Sequence, residues 1–195
     1  MESIKQFVDA GLSVFIFDYA GFGQSAGKPA ESTTYDDATA AWKYITGELG
    51  LAPNEIILFG RSLGSAVAID LAGRKKPVAL ILESCFTSIA EMGARIYPWL
   101  PVRFLTRIRF DSMSKITYVD VPKLFVHSLD DEIVPYGMGR RLYNRASRPK
   151  QFVKMRGNHN DAFLMPGSEY EAVLQSFLAD LDLPYPGPAP VADHD

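Results

Sequence analysis

One stretch decides the fold: Ile56-Ile57-Leu58-Phe59-Gly60-Arg61-Ser62-Leu63-Gly64. Its four apolar residues predict a short buried strand, and the mostly apolar segment 65–72 predicts a buried helix with Gly73 as its C-terminal cap. A G-x-S-x-G sequence between a strand and a helix indicates a nucleophile elbow, a sharp turn in which the flanking glycines avoid clashes. Ser62 is therefore the candidate nucleophile, placed at a helix N-terminus where developing negative charge is favoured.

Strand and helix signals alternate along the rest of the chain, which is typical of an α/β fold with a mostly parallel sheet flanked by helices. Further apolar runs predict strands at 12–17, 79–82, 124–127 and 151–155, so that the sheet has about five strands. Apolar spacing and end signals predict helices at 2–9, 35–49, 137–146 and 169–181. In the second of these, Asp36 and Asp37 are expected in the first turn, where the helix dipole favours acidic side chains.

Length and composition indicate one domain, over residues 1–183. A chain of 195 residues with 47% hydrophobic residues can bury one core of ordinary size. Residues 184–195 form a predicted extended tail, because proline recurs at every second position from Pro184 to Pro190. The segment 86–121 is a long insertion between two strands, and two interpretations stay open: a small cap over a site, or ordinary helix packing.

Charge and cysteine content exclude several classes of protein. A net charge of −3 gives no electrostatic basis for binding nucleic acid. Cys85 is the only cysteine, so the chain can form neither an internal disulfide nor a cysteine-based metal site. Because no apolar run reaches the roughly 18 residues of a membrane-spanning helix and no signal peptide opens the sequence, we expect a soluble cytoplasmic protein without cofactor or metal.

Two other patterns suggest ligands and have simpler interpretations. The glycines of Gly21-x-Gly23-x-x-Ala26 have dinucleotide-type spacing, but the loop continues through Pro29 where a helix should open, so no nucleotide is expected. The arginines at 140, 141, 145 and 148 are interpreted as a solvated helix face, with contact to an anionic lipid surface as the alternative.

A serine nucleophile needs a base, and the base needs a carboxylate that orients it. His194 lies in the tail and is expected to be inert, whereas His127 ends an apolar strand and is expected to be structural. His159 follows the last strand in a polar loop, where α/β sheets collect their site residues, and is the candidate base. The acid should come from the loop after the strand near His127, where three carboxylates follow one another: Asp130, Asp131 and Glu132.

Three segments together resemble the α/β-hydrolase superfamily. They are the elbow at 60–64, the run 127–135 (HSLDDEIVP) and the run 157–161 (GNHND). Additional likeness lies in 18–25 (DYAGFGQS), 83–88 (ESCFTS) and 109–112 (RFDS). The resemblance extends from residue 1 to about residue 180, and it is strongest to the bud-emergence-protein-like and depalmitoylase-like serine hydrolases.

The resemblance assigns a role to each candidate residue. The family's acid loop reads roughly H-G-x-x-D-x-x-V-P, which implies that Asp131 is the acid and Asp130 a solvated neighbour, with Ser128 in the place of the glycine. By the same resemblance, Ser62 attacks the carbonyl of a carboxylic ester or thioester, His159 transfers the proton and Asp131 orients the imidazole. The backbone N–H of Leu63 is implied as one oxyanion donor, and the substrate as a small-molecule or lipid-like acyl ester.

The sequence departs from the family at its N-terminal side. Relatives begin with about three more strands and carry an H-G-type loop that supplies a second oxyanion N–H, whereas this sequence contains no His-Gly pair. We therefore expect an N-terminally truncated α/β-hydrolase fold. Loss of one oxyanion donor costs on the order of 10²- to 10³-fold in kcat. Two alternatives to an esterase or thioesterase stay open: a catalytically impaired binding protein with an incomplete oxyanion hole, and a serine peptidase.

Overall fold

A four-stranded parallel sheet forms the centre of the computed structural model, which describes residues 2–101, 106, 108–160, 169–181 and 183. The strands lie side by side in chain order and every neighbouring pair is parallel. They are β1 (Ile57–Arg61), β2 (Ala79–Glu83), β3 (Lys123–Ser128) and β4 (Lys150–Met155). The α/β class and the mostly parallel sheet are confirmed.

Helices connect the strands and cover the sheet. They are α1 (Glu2–Asp9), α2 (Glu31–Lys43), α3 (Leu63–Lys75), α4 (Ile89–Ile96), α5 (Ser112–Lys115), α6 (Tyr136–Arg145) and α7 (Glu169–Ala179). One π-type turn continues α2 over Tyr44–Glu48, and 3₁₀ turns cover Pro53–Glu55 and Ile116–Tyr118. Among the described helices, none is long and apolar enough to cross a bilayer.

Alternate side chains of β2 and β3 point to opposite faces, and each face has its own core, as the two-residue period of a strand requires. Helices α1 and α7 cover the face that carries Ile81 and Leu124. Helices α3 and α6 cover the opposite face, which carries Leu80 and Phe125. All residues of β2 and β3 are buried, so these two strands form the interior of the molecule.

The predicted strand Leu12–Phe17 is wrong, and the described residues form a sheet of four strands where about five are expected. This segment pairs with no strand among the described residues, because β1 forms its ladder only with β2. A strand requires a neighbour that accepts and donates its backbone hydrogen bonds, and apolar sequence alone does not supply one. Several of its side chains remain exposed: Val14 (39%), Phe15 (45%), Ile16 (73%) and Phe17 (37%).

Two predicted helix details are also wrong. Helix α3 continues through Gly73 to Lys75, and Lys76, with φ 52°, adopts the left-handed cap conformation instead. Helix α2 begins at Glu31, which places Asp36 and Asp37 in its second turn. The carboxylate of Asp37 accepts the N–H of Ala20 (2.8 Å), so it anchors the preceding loop rather than the helix dipole.

The insertion 86–121 contains α4, α5 and the 3₁₀ turn at 116–118. Phe110 is buried and lies edge-on against Tyr35 of α2, with 5.6 Å between the ring centroids. Three of its apolar residues, Val102, Phe104 and Leu105, lie outside the described residues, as do the tail 184–195 and His194. The choice between a cap and ordinary helix packing, and the extended tail, therefore stay predictions.

Candidate active site

The three candidate catalytic residues lie at one edge of the sheet. Ser62 follows β1, Asp131 follows β3 and His159 follows β4. Because all strands are parallel, their carboxyl ends share this edge, which is where open α/β sheets form their sites. Strand β2 lies between β1 and β3, so its last residues separate the nucleophile from the acid.

Ser62 has the backbone geometry of a nucleophile elbow. Its φ of 50° and ψ of −119° fall in a region that L-residues rarely adopt, at a cost of roughly 1–3 kcal/mol. The turn is held by its N–H, which donates to the carbonyl of Glu83 (3.0 Å), and by its carbonyl, which accepts the N–H of Ser65 (3.0 Å). Helix α3 begins at the next residue.

The two glycines of the elbow have different roles. A Cβ at Gly60 would overlap the carbonyl group of Gly64, so the turn requires glycine at this position. A Cβ at Gly64 would meet only the Tyr19 hydroxyl at 3.9 Å, an ordinary contact. The steric explanation is therefore confirmed for Gly60 and wrong for Gly64.

His159 and Asp131 form a buried pair. Nδ1 of His159 lies 2.8 Å from Oδ2 and 2.9 Å from Oδ1 of Asp131. Only 5% of His159 and 8% of Asp131 are exposed, so the pair is shielded from water. This contact favours the tautomer with a proton on Nδ1, which leaves Nε2 as the proton acceptor.

The loop after β3 holds the Asp131 carboxylate in its ionised form. Oδ1 accepts the N–H of Val134 (2.7 Å) and the N–H of Ile133 (3.0 Å). Burial alone would raise the pKa of Asp131, but the hydrogen bonds from His159 and from the Val134 N–H outweigh it and hold this pKa below its usual range. Asp131 is thus a carboxylate at neutral pH.

Neighbouring polar residues join the acid loop to the histidine loop. Asp130 is exposed and binds Arg156 (3.1 Å), and Glu132 accepts the backbone N–H of His159 (2.9 Å). The Ser128 hydroxyl donates to the Gly157 carbonyl and accepts the N–H of Asp130 (3.1 Å). Neither the Ser128 contact nor the Glu132 contact could be predicted from the sequence, because each joins residues at least 27 positions apart and leaves no local pattern.

His127 is buried, which agrees with the expectation of a structural histidine. It is 1% exposed, and its Nε2 donates to the Val134 carbonyl at 2.9 Å. Its Nδ1 packs against Gly139, where a Cβ would overlap the ring, and it has no hydrogen-bond partner within the described residues. Burial lowers the pKa of His127, which keeps the ring neutral beside Asp131.

The structure brings the base and acid together but leaves the nucleophile separate. No hydrogen bond joins the Ser62 hydroxyl to the His159 ring, and within the described residues the N–H of Leu63 has no backbone partner. Hydrogen bonds between a nucleophile and its base often tighten only when substrate binds. Cys85 is buried, and burial raises the pKa of its thiol to about 12, so it is not a competing nucleophile.

A family model described as serine aminopeptidase, S33, matches residues 1–118 of this chain. Relatives extend the match over most of the chain. An uncharacterized protein of Mycobacterium tuberculosis is 42% identical over 171 residues, which are 87% of this chain and 61% of that protein. The alpha/beta hydrolase domain-containing protein 17B of Homo sapiens is 32% identical over 169 residues, which are 86% of this chain and 56% of that protein. The chain thus spans about three fifths of the length of these relatives.

Solved structures with a similar fold include enzymes that act on esters. An esterase of Pyrococcus furiosus gives a TM-score of 0.72 at 18% identity, with 92% of this chain and 75% of the esterase covered. A monoacylglycerol lipase of Paleococcus ferrophilus gives a TM-score of 0.66 at 23% identity, with 91% of this chain and 87% of the lipase covered. At these identities the likeness shows the fold, a mostly parallel sheet with helices on both sides.

Proposed function

Since this chain belongs to the serine aminopeptidase S33 family within the α/β-hydrolase superfamily, we propose that it cleaves a carboxylic ester or thioester through an acyl-enzyme on Ser62. The buried contact between His159 and Asp131, at 2.8 Å, carries this proposal. A carboxylate that fixes the tautomer of a histidine is the arrangement that general-base catalysis by that histidine requires. The strained elbow at Ser62 supports the same assignment.

In the proposed reaction the Ser62 hydroxyl attacks the substrate carbonyl carbon while its proton passes to Nε2 of His159. The tetrahedral intermediate carries its negative charge on the former carbonyl oxygen, which the N–H of Leu63 and the N-terminus of α3 stabilise. When the intermediate collapses, the bond to the alcohol or thiol breaks and the leaving group takes the proton from His159. Water then attacks the acyl-enzyme with His159 as base and releases the acid.

Asp131 contributes in two ways to this cycle. It holds the proton on Nδ1 of His159, so that Nε2 always faces the reaction. It also stabilises the positive charge that the imidazole acquires when it takes the serine proton. Both effects need an ionised carboxylate, which the lowered pKa of Asp131 provides at neutral pH.

The proposed substrate is a small-molecule or lipid-like acyl ester. Support comes from the solved structures of similar fold, two of which are described as an esterase and a monoacylglycerol lipase. A serine peptidase is the second candidate, because the matching family model is described as a serine aminopeptidase. Both reactions use the same acyl-enzyme chemistry, so the leaving group is the only difference between them.

A fluorophosphonate probe tests whether Ser62 is a nucleophile. We expect the chain to be labelled at Ser62, with the adduct located by peptide mass spectrometry, and Ser62→Ala to abolish labelling. Ser32, an exposed serine of α2, supplies the matched control, and Ser32→Ala should label at the wild-type rate. A folded wild-type chain without label would contradict the enzyme assignment and favour a binding protein.

Substrate preference is measured in parallel on a p-nitrophenyl acyl ester, an acyl thioester and an aminoacyl p-nitroanilide. Hydrolysis of the ester or thioester alone supports the proposed function. Hydrolysis of the anilide with a higher kcat/KM than either ester would replace the proposal by the peptidase assignment.

A further inference from the structure

A buried carboxylate lies directly beside the nucleophile elbow, and the catalytic cycle does not use it. Glu83 is the last residue of β2 and is 1% exposed. A buried carboxylate is costly unless each oxygen has a partner. Burial indeed raises the pKa of Glu83, although its ion pair with Arg61 and the hydrogen bond from Tyr170 oppose that shift. A group of this kind, placed between Ser62 and Asp131, needs an explanation.

Both oxygens of the Glu83 side chain are engaged by groups from different elements. Nε of Arg61, the last residue of β1, donates to Oε2 at 2.8 Å. The Tyr170 hydroxyl of α7 donates to Oε1. The guanidinium is partly shielded, with 25% of the Arg61 side chain exposed, and Tyr170 is 2% exposed. The three residues form a buried polar cluster that joins the C-terminal helix to the end of β1.

The same residue also holds the backbone of the nucleophile. The Glu83 carbonyl accepts the N–H of Ser62 at 3.0 Å, while its side chain binds Arg61, the residue immediately before Ser62. Glu83 therefore contacts two consecutive residues of the elbow, by main chain and by side chain. Because the Ser62 backbone is strained, its conformation persists only if surrounding contacts over-determine it.

The next residue extends this arrangement toward the acid. Ser84 has a φ of 45° and is fully buried, and its N–H donates to the Val126 carbonyl of β3 at 3.0 Å. Its hydroxyl lies near the Asp131 carboxylate and helps to lower that pKa, although the two groups make no hydrogen bond of good geometry. The end of β2 thus contacts both the nucleophile turn and the acid loop.

We propose that Glu83, held by Arg61 and Tyr170, is a positioning residue that fixes the nucleophile elbow for the reaction of Ser62. The role rests on the proposed function, because positioning matters only if Ser62 reacts. It also makes the reactivity of Ser62 depend on helix α7, because α7 supplies the Tyr170 hydroxyl that binds Glu83. Displacement of a nucleophile by about 1 Å can cost on the order of 10²-fold in rate.

Two conservative variants test the cluster. Tyr170→Phe removes one hydroxyl, and Glu83→Gln keeps the shape but removes the charge that binds Arg61. We expect each to lower kcat on a p-nitrophenyl acyl ester about 10- to 100-fold, with KM changed less than about 3-fold, because substrate contacts are untouched. The kcat of the double variant should be only slightly below that of the more impaired single variant, since both substitutions act through the same group.

Phe177→Leu is the matched control. Phe177 lies on α7 and is 3% exposed in the same core as Tyr170, but its side chain has no polar group that could bond to Glu83 or Arg61. We expect Phe177→Leu to lower the thermal midpoint without changing kcat. If Tyr170→Phe and Glu83→Gln also lower only the thermal midpoint, with kcat within about 2-fold of wild type, the positioning role is wrong and the cluster merely stabilises the fold.

Amide hydrogen exchange tests the positioning role of Glu83 independently of whether Ser62 is a nucleophile. Amide hydrogen exchange of the peptide that contains Gly60–Gly64 is followed in wild type, Tyr170→Phe and Phe177→Leu, and again in a Ser62→Ala background. We expect faster exchange at the elbow only in Tyr170→Phe, in both backgrounds. Unchanged exchange at the elbow would overturn the inference whether or not the chain is an enzyme, whereas an unlabelled wild type with the expected exchange would overturn only the proposed function.

Discussion

At the scale of single residues, Asp131 has the most demanding environment of the site. Its carboxylate receives two backbone N–H groups and the His159 ring, and its side chain is fully buried. Its neighbour Asp130 has the same chemical group on an exposed surface, where it binds Arg156 (3.1 Å) and the Gly157 N–H (3.5 Å). Two adjacent aspartates of one loop therefore have different environments, because only the side chain of Asp131 is buried.

The first prediction compares these two aspartates. Asp131→Asn should lower kcat by about 10³- to 10⁴-fold, because an amide neither fixes the Nδ1 tautomer nor stabilises the imidazolium. Asp130→Asn should change kcat by less than about 3-fold. Steady-state hydrolysis of a p-nitrophenyl acyl ester measures both effects, and equal losses in the two variants would show that Asp131 is not the acid.

At the scale of elements, the strand–turn–helix unit of β1, Ser62 and α3 was predictable because its signals are local. Local signals do not settle every position of this unit. Both glycines of the turn fit the motif, but only Gly60 is sterically required. Gly73 shows the same limit: a glycine near a helix end indicates a cap, yet α3 continues past it to Lys75. Contacts between distant segments decide such positions, and periodicity does not record them.

The second prediction concerns the two elbow glycines. Gly60→Ala should abolish labelling of Ser62 by a fluorophosphonate and lower the free energy of unfolding by about 1–3 kcal/mol, because the new methyl overlaps the backbone at Gly64. Gly64→Ala should fold normally, since its Cβ has room and alanine is the better residue in a helix. Urea denaturation and labelling rates measure the pair. Equal unfolding free energies and equal labelling rates in the two variants would contradict the geometry of the turn.

The third prediction concerns the exposed segment Leu12–Phe17. Its exposed side chains form an apolar stretch, and among the described residues β1 pairs with β2 alone; exposed apolar surface and unpaired strand edges are recognised causes of association between chains. Ile16→Lys, at a position that is 73% exposed, should reduce concentration-dependent self-association in analytical ultracentrifugation. Tyr118→Lys, at an equally exposed position (74%) on another surface, is the control and should leave it unchanged. Association that persists in Ile16→Lys would exclude this segment as its cause.

At the scale of the whole molecule, the two faces of the sheet carry separate cores that meet at the buried strands β2 and β3. Lys123 is a charged side chain of this interior that lies at the opposite end of β3 from the site. Lys123 begins β3 with no exposed surface, and its ammonium group donates to the carbonyls of Val119 (2.8 Å) and Val121 (2.6 Å). Burial lowers the pKa of Lys123 to about 8.

The fourth prediction follows from this lysine. Between about pH 8 and the ordinary lysine pKa of about 10.4, the folded chain has lost the proton that the unfolded chain keeps. The free energy of unfolding should therefore rise with pH across this window relative to Lys123→Met, and the difference should be constant below pH 8. Urea denaturation at several pH values measures it. A difference that does not change with pH would mean that Lys123 does not titrate in this range.

The sequence by itself determined the α/β class, the mostly parallel sheet, the elbow at Ser62 and the positions of His159 and the acid cluster. These follow from local apolar periodicity and from motifs a few residues long. Only the tertiary structure decided that Leu12–Phe17 pairs with no strand among the described residues, that Ser128 and Glu132 join two loops, and that Glu83 binds both Arg61 and the Ser62 N–H. Each of these depends on which distant backbone or side chain comes within hydrogen-bond distance, and that is a property of the packed chain.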